Sequence, residues 1–355
     1  MSPTGSDSNP CTQAQPCRTF NRTYRVASPG HTVEVAAGTY GGETMQHDPS
    51  KSSQNDVLFR PATGAQVTVN ATLDVYASHF EFRNFRVTQV EFYQQVDDVT
   101  FRTMVTNGLW MWGPSNISFL GGEITCGFCG YHPILSNGGS GGGATAPRNI
   151  LFDGVYFHDW HSVSGEHVEC LQILGADNVT VRNSTFKYCG TGNGGLGATA
   201  NLHMAWIGFG PMTRNILIEN NFFYPSGNPF AIQMDDYENV DLRYNSISGP
   251  VSLYNRSGPG TNLDMIGNIM RKGSCTAENN GVPINWRYNT LQGGTCGPTD
   301  QNAAHGFIDA NQNLHLVSGA PAINRGDPTY YPSHDLDGQS RPIGGAPDAG
   351  ADEAG

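Results

Sequence analysis

The chain has 355 residues, with 19 Lys and Arg against 31 Asp and Glu, which gives a formal net charge of −12. Phosphate binding needs a basic surface, so an acidic chain with only three lysines disfavours nucleic acid as a partner. No apolar run approaches the roughly 20 residues of a membrane span. With 17 Phe, 14 Tyr and 5 Trp, the composition is that of a folded chain rather than a disordered polyelectrolyte.

One eight-residue pattern recurs nine times: apolar, any, apolar, any, then Asn or Gly in the next two places, then apolar. The repeats begin at Phe80, Val99, Ile117, Ile150, Val179, Ile216, Val240, Leu263 and Ile284. Their spacing ranges from 18 to 37 residues, and the longer intervals contain insertions such as a Gly-rich segment before Arg148. A regular spacing of this kind is typical of a repeat architecture.

Each repeat predicts two short strands separated by a tight bend. The alternating apolar positions give each strand one buried face. Asn and Gly tolerate the left-handed backbone conformation that such a bend requires, as at Asn183, Asn220, Asn221, Gly121 and Gly122. A coil of about 20 residues cannot bury its apolar face alone, so successive coils are expected to stack and pair in parallel about 4.8 Å apart.

The cysteine spacing supports stacked coils. Cys170 and Cys189 are 19 residues apart and Cys275 and Cys296 are 21 apart, about one coil in each case, which predicts a disulfide in each pair. Short loop closures are predicted for Cys11–Cys17 and Cys126–Cys129, with a redox-active pair as the alternative for the CGFC segment at 126–129.

Eight cysteines in a Lys-poor chain favour an oxidising compartment, with a cytosolic protein carrying free thiols as the alternative. The first residues, MSPTGSDSNPC, contain no apolar signal region. We therefore expect a secreted protein whose signal peptide has been removed from this sequence.

The chain begins with a segment that contains PCRTFNRTYRVASPGHTVEVAAGTYGG and ends with a segment from LVSGAPAINRGDP to DAGADE. Both segments resemble those of secreted right-handed parallel β-helix proteins of the pectate-lyase-like superfamily. The first resembles their cap, a short helix followed by PGD-V-V-GTY, with His31 where Asp is common, and the second resembles their closing segment. The resemblance implies an all-β, single-stranded right-handed parallel β-helix (a solenoid). It would form one domain over 1–355, with an N-terminal cap and first coil at 1–45, coils with insertions at 46–297 and an irregular C-terminal cap at 298–355.

The strand before each repeat supplies candidate groove residues, because its side chains alternate between the core and the outside. If Leu109, Met111, Ile232 and Leu253 point inward, their neighbours face outward. The predicted substrate-binding residues are Tyr93, Trp110, Trp112, His167, Gln172, Trp206 and Gln233. Aromatic rings in such a row suit the apolar faces of sugars, although rings of this kind also serve as local packing under insertions.

The densest group of titratable residues is HDWHSVSGEHVECLQ, from His158 to Gln172. Because neighbouring coils are close, Glu169, His203, Asp235 and Tyr254 are expected to converge. With Arg256 they are the predicted catalytic residues, since neighbouring titratable groups tune one another for acid–base chemistry.

Three chemistries fit this group. In lytic cleavage of a uronic-acid-containing glycan by β-elimination, a cation such as Ca²⁺ would neutralise the carboxylate and be held by Glu166, Glu169, Asp235 and Asp236. His203, Tyr254 or Arg256 would then be the base. In inverting hydrolysis, Glu169 and Asp235 would form the carboxylate pair. In the third, His158, His161 and His167 would bind zinc or another transition metal.

Structural roles remain the alternative for single residues, and Asp235–Asp236 would then be a solvated turn. The rival from another functional class is a non-catalytic glycan-binding or cell-surface adhesin module. The terminal acids Asp335, Asp337, Asp348, Asp352 and Glu353 are interpreted as a structural cap, because their spacing does not match a twelve-residue calcium loop. The expected protein is a monomeric polysaccharide lyase without an organic cofactor, with Ca²⁺ as its candidate ion.

Overall fold

The computed structural model describes residues 1–51, 55–125, 134–136, 145–161, 168–190, 200–205, 212–225, 229–254, 261–277 and 283–354. The chain begins with α1 (Phe20–Val26), β1 (Thr32–Val35), β2 (Gly38–Tyr40) and β3 (Glu43–Met45). The next coils contain β4 (Val57–Pro61), β5 (Val67–Val75), β6 (Phe80–Arg83), β7 (Arg86–Phe92), β8 (Asp97–Thr106), β9 (Leu109–Trp112), β10 (Ser115–Thr125) and β11 (Ile134–Ser136).

The central coils contain β12 (Arg148–Asp153), β13 (Tyr156–Trp160), β14 (Leu171–Leu174), β15 (Asp177–Arg182), β16 (Thr185–Cys189), β17 (Ala200–Ala205), β18 (Thr213–Glu219), β19 (Phe222–Phe223), β20 (Phe230–Asp235), β21 (Tyr237–Arg243), β22 (Ser246–Ile247) and β23 (Val251–Tyr254). The last strands are β24 (Thr261–Ile266), β25 (Ile269–Arg271), β26 (Asn285–Arg287), β27 (Thr290–Gln292), β28 (Gln301–Asn302), β29 (Phe307–Asp309) and β30 (Asn313–Leu316).

The parallel strands form three sheets that surround one apolar core. Sheet A contains β1, β4, β6, β12, β15, β18, β21, β24 and β26; sheet B contains β2, β13, β16, β19, β22, β25, β27 and β28; sheet C contains β3, β9, β11, β14, β17, β20 and β23. The long strands β8 and β10 continue from sheet A into sheet B, and β5 and β7 continue from sheet B into sheet C. The fold is the parallel β-helix that the repeats predicted.

The nine repeats occupy equivalent positions in sheet A. Phe80 pairs with Val99, and the pairing continues through Ile117, Ile150, Val179, Ile216, Val240 and Leu263. Ile284 precedes Asn285, whose partner is the residue after Leu263. The fifth residue of every repeat has a positive φ, from Asn84 at +59° to Tyr288 at +58°. The bend predicted from the sequence is therefore present in every coil.

Of the two sixth-position residues predicted to be left-handed, Gly122 has a positive φ of 92°, but Asn221 does not. This residue is outside the left-handed region and points into the core, where Asn221, Asn245, Asn268 and Asn289 form a ladder. The side-chain Nδ2 of each of the first three donates to Oδ1 of the next, and Asn245 Nδ2 also donates to the Ile218 carbonyl at 2.8 Å. The ladder satisfies backbone groups at a corner of the core, which would otherwise be costly to bury.

The N-terminal helix closes one end of the core. The Thr19 hydroxyl accepts a hydrogen bond from Arg22 N at 3.1 Å and so caps the helix. Phe20 has no exposed surface and packs against Phe59 and Phe82, with ring centroids 5.9 and 5.3 Å away. These contacts bury the aromatic face that the first coils would otherwise expose.

Three of the four predicted disulfides lie within the described residues, and all three are present: Cys11–Cys17, Cys170–Cys189 and Cys275–Cys296. The fourth prediction, Cys126–Cys129, lies outside them. Cys189 is the Cα partner of Trp160 in sheet B, while Cys170 comes directly before β14 in sheet C. The spacing of about one coil predicts a bridge between neighbouring strands of one sheet. The bridge instead joins sheet B to sheet C.

The acidic C-terminal segment is held by backbone contacts. Asp348 accepts from the N–H groups of Asn324 and Ala354 at 2.6 and 2.8 Å, and Glu353 accepts from Ile343 N at 2.8 Å. The buried Arg341 guanidinium lies 3.6 Å from Glu353. These contacts agree with the structural role predicted for the terminal acids. Over the described ranges, no helix is long and apolar enough to cross a membrane.

Candidate active site

The candidate site lies on the outer face of sheet C, where four neighbouring strands place polar residues in register. Gln172 on β14 pairs with His203 on β17, which pairs with Gln233 on β20 and then Ser252 on β23. Asp235 and Tyr254 form the adjacent register pair. The inward positions are apolar and buried, as predicted for Ile232 and Leu253. Alternation along each strand therefore brings these polar side chains to one surface.

His203 is the centre of this group. Its Nδ1 lies 3.2 Å from Gln172 Nε2 and 4.0 Å from Glu169 Oε1. Its Nε2 lies 3.4 Å from Asp235 Oδ2, which also accepts a 2.9 Å hydrogen bond from Gln233 Nε2. Of the four residues predicted to converge, Glu169, His203 and Asp235 are thus in contact range around one imidazole.

The surrounding groups assign a tautomer to the neutral imidazole. Gln172 Nε2 is a donor, so the His203 Nδ1 that it faces is an acceptor. Nε2 then carries the proton and donates towards Asp235. This arrangement leaves Nδ1 as the basic nitrogen, with the Glu169 carboxylate beside it.

Burial separates the roles of the two carboxylates. The Glu169 side chain has no exposed surface, whereas the side chains of His203 and Asp235 are 10% and 8% exposed. A group without exposed surface does not reach a substrate in this conformation. Glu169 is therefore placed to act through His203, and it does not match the exposed carboxylate that a hydrolytic pair requires.

Asp236 occupies the corner between sheets C and A. Its φ is +58°, and the residues that follow the equivalent strands β9 and β14 are Gly113 and Gly175, also with positive φ. Asp235 and Asp236 are 6% and 3% exposed. The alternative of a solvated turn is therefore wrong for both residues: the corner buries them against the neighbouring coils.

Ca²⁺ binding by the predicted metal residues stays a prediction. Among the described residues, the groups with three potential ligand atoms within 4.8 Å of one another are Asp56 with His79 and Asp98, and His315 with Asp337 and Asp352. Glu169 and Asp235 instead lie near opposite nitrogens of His203. The fourth member of the predicted set, Glu166, lies outside the described residues.

The histidine-rich segment is divided between two sheets. His158 lies on β13 in sheet B, where its ring stacks on Tyr156 and its Nδ1 lies 2.7 Å from Asp159. The segment then passes to sheet C, where Glu169 and Gln172 meet His203. The predicted residues His167, Trp206 and Arg256 lie outside the described residues. Because His167 is one of its three ligands, the alternative of a site formed by His158, His161 and His167 stays a prediction.

The aromatic groove residues lie on sheet C in coils that are closer to the N-terminus than the coils that carry His203 and its neighbours. Trp110 and Trp112 are half-buried, with ring centroids 4.9 Å apart. Tyr93 stacks on Tyr76 at 4.4 Å, and its hydroxyl contacts Asp74. Tyr76, Asp74 and Glu91 are not among the predicted residues, although alternation along β5 and β7 brings Asp74 and Glu91 to this surface and Tyr76 directly follows β5.

The comparisons with known proteins agree with this architecture. Residues 3–51 match the family described as "Protein of unknown function (DUF1565)". The solved structure of pectate lyase Pel9A is 13% identical, with a TM-score of 0.62 over 100% of this chain and 96% of its own. A rhamnogalacturonan lyase is also 13% identical, with a TM-score of 0.60 over 96% of this chain and 94% of its own. No curated protein matches the chain in sequence.

At these identities the structural likeness concerns the fold. It extends over essentially the whole chain, in agreement with the nine in-register repeats and the apolar core inside the coils. The chain has the right-handed parallel β-helix fold of pectate-lyase-like proteins.

Proposed function

We propose that this protein is a secreted polysaccharide lyase that cleaves a uronic-acid-containing glycan by β-elimination, with His203 as the base. The observation that carries the proposal is the position of His203, which lies on the outer face of sheet C between Glu169 and Asp235. Histidine is the side chain that most often serves as a general base in enzymes. The three disulfides support secretion, because such bonds persist in oxidising compartments.

In the proposed reaction, His203 acts as the base and Tyr254 as the acid. His203 Nδ1 takes the proton from the carbon next to the uronate carboxylate. The electron pair of that C–H bond forms the new carbon–carbon double bond, and the glycosidic C–O bond breaks. The leaving oxygen takes a proton from Tyr254, which lies in register with Asp235 on the next strand. The protonated imidazole then lies between two carboxylates, which stabilise its positive charge.

The amides of Gln172 and Gln233 would bind the uronate carboxylate; their positions on the two strands that neighbour His203 support this role. The Gln172 amide contacts Nδ1 in the free protein and would turn to the substrate when Nδ1 becomes the base. Fold similarity to a pectate lyase and a rhamnogalacturonan lyase supports a lytic reaction over hydrolysis. The absence of exposed surface on Glu169 supports the same choice.

The test is product analysis after incubation of the full chain with a panel of uronic and neutral polysaccharides, with Ca²⁺ and separately with a chelator. The proposal predicts oligosaccharides with an unsaturated end. His203→Ala should lower turnover by about 10²- to 10⁴-fold, the usual contribution of a general base. His158→Ala is the matched control, because His158 also contacts a carboxylate but lies on sheet B.

Products that carry an added water molecule would show that the reaction is hydrolysis and not elimination. Equal turnover of the His203→Ala and His158→Ala proteins would remove His203 from the mechanism. No product from any glycan, with binding retained, would favour the adhesin alternative. Loss of turnover with chelator would show that a cation neutralises the substrate carboxylate.

A further inference from the structure

The surface of sheet C continues past the candidate site into an aromatic region. From His203 the register runs through Gln172 and Ile134 to Trp110, and then to Glu91 and Asp74. Trp110 is three strands from His203, a distance of about 14 Å along the groove. A chain bound at His203 and lying across the strands would therefore reach the aromatic region.

Four rings in this region form two pairs. Tyr76 and Tyr93 are stacked with an interplanar angle of 3°, and Tyr76 is 38% exposed. Trp110 and Trp112 are 4.9 Å apart with their planes inclined at 47°. Rings of this kind offer apolar faces against which sugar rings pack, while their edges leave space for hydroxyl groups.

Two carboxylates lie among the rings. The Tyr93 hydroxyl lies 3.1 Å from Asp74 Oδ1 and 2.9 Å from Glu91 Oε2, and Gln89 donates to the other Glu91 oxygen. In the described part of the chain, neither carboxylate forms a salt bridge with Lys, Arg or His. Burial and these two carboxylates raise the pKa of Tyr93, so the phenol stays protonated. The region is therefore rich in acceptors and negatively charged.

We infer that Asp74, Tyr76, Glu91, Tyr93, Trp110 and Trp112 form a subsite for neutral sugar residues. Ionised carboxylates accept hydrogen bonds from sugar hydroxyls, and they repel a uronate. This inference rests on the proposed function for its choice of occupant, a distant part of the same polysaccharide. It assigns the substrate to heteropolysaccharides in which a neutral section adjoins the uronate that is cleaved.

Binding of defined oligosaccharides to the full chain tests the subsite separately from turnover. The probes are neutral hexasaccharides of galactose, arabinose or glucose and a hexamer of galacturonate, measured by titration calorimetry. We expect at least one neutral probe to bind, with Trp112→Ala and Tyr76→Ala each weakening it about ten-fold, the loss expected for one aromatic contact. Tyr188→Ala is the control, since Tyr188 is a similarly exposed ring (39%) on sheet B.

The carboxylates are tested with the Asp74→Asn, Glu91→Gln double variant. It should bind the galacturonate hexamer more tightly than the original protein does, because the repulsion is gone. If Ca²⁺ made the original protein bind the galacturonate hexamer more tightly, and if the double variant lost this effect, the inference would be overturned. The region would then be a uronate subsite in which a cation bridges the carboxylates. Lack of neutral binding, or binding unaffected by Trp112→Ala and Tyr76→Ala, would also overturn it.

The two proposals fail in different ways. Turnover that depends on His203, together with no neutral binding, would leave the lyase and remove the subsite. Neutral binding that depends on Trp112, together with no turnover of any polysaccharide, would leave the subsite and remove the lyase.

Discussion

His203 Nε2 lies 3.4 Å from Asp235 Oδ2, although the two residues are 32 positions apart in the chain. They belong to the neighbouring strands β17 and β20, and the coil between them brings both to the outer face of sheet C. Together with the Gln172 amide that faces Nδ1, Asp235 favours the tautomer in which Nε2 carries the proton. The Glu169 carboxylate then faces the other nitrogen, the one proposed as the base.

Asp235→Asn tests this orientation. We expect kcat to fall by about 10²-fold with a smaller change in KM, because an amide no longer favours the tautomer with a basic Nδ1. Steady-state kinetics on the substrate found by product analysis gives both constants. Asp177→Asn is the control, since Asp177 pairs with Arg214 on sheet A. An unchanged kcat in the Asp235 variant would contradict the proposed dyad.

Glu169→Gln tests a positioning residue through the separation of kcat from KM. We expect kcat to fall by about ten-fold with a smaller change in KM, because the imidazole that takes the substrate proton loses one stabilising charge. Glu169→Asp, which keeps the charge, should restore part of kcat. Equal kcat values for the Gln and Asp variants would show that Glu169 has only a structural role.

Removal of the Cys170–Cys189 disulfide should lower both the stability and the activity of the protein. It closes a segment of 19 residues and is buried, and Cys170 follows Glu169 directly. Replacing both cysteines by Ala should lower the free energy of unfolding by about 3 kcal/mol, as the loop-closure relation gives. Turnover measured well below the melting temperature should also fall. The Cys275, Cys296 double Ala variant is the control, and equal turnover of the two variants would separate the bridge from the site.

The internal asparagine ladder predicts a large, local stability effect. Asn245→Ala removes hydrogen bonds to Asn221, Asn268 and the Ile218 carbonyl and leaves their groups buried. The expected loss is about 2–4 kcal/mol in denaturant unfolding. Asn239→Gly is the comparison, because Asn239 belongs to an exposed row of asparagines and Gly keeps its positive φ. It should cost about 1 kcal/mol or less, and equal losses would contradict the account of the ladder.

Asp348 predicts a pH dependence of stability. Burial raises the pKa of its carboxyl from 3.8 to about 6, with a smaller contribution from Glu353. Between these two values the unfolded chain has lost the proton and the folded chain retains it. This group therefore makes the folded state less stable as pH rises through that window, by up to about 3 kcal/mol.

The measurement is the difference in unfolding free energy between the original protein and Asp348→Asn across this range. The difference should change in favour of the variant as pH rises. A constant difference would contradict the raised pKa.

The sequence predicts the coils well because the determinants are local and repeated. A strand with one buried face and a left-handed residue are specified within eight residues, and stacking then aligns all copies, from Phe80 to Ile284. Two disulfides, Cys170–Cys189 and Cys275–Cys296, are predicted from the length of a coil, and Cys11–Cys17 is predicted as a short loop closure. The Cys170–Cys189 bridge shows where this reasoning fails. The spacing predicted that Cys189 lies on the strand next to that of Cys170 in the same sheet, but Cys189 pairs with Trp160 in sheet B.

The site is predicted less completely, because proximity in sequence does not define a face of the solenoid. His158 and Glu169 are close in the chain but lie on sheets B and C, respectively. Asp74 and Glu91 are not predicted as site residues, because each is a single charged residue between apolar residues of its strand. Only the register reveals that they are neighbours beside Tyr93.

The central claim is elimination at His203, and cleavage in water labelled with heavy oxygen tests it most directly. Elimination breaks the glycosidic bond without adding water, whereas hydrolysis places one solvent oxygen in a product. Mass spectrometry should show unsaturated products without the label, and His203→Ala should abolish them while His158→Ala retains them. Incorporation of one labelled oxygen per cleavage, or undiminished unsaturated product from His203→Ala, would contradict the account.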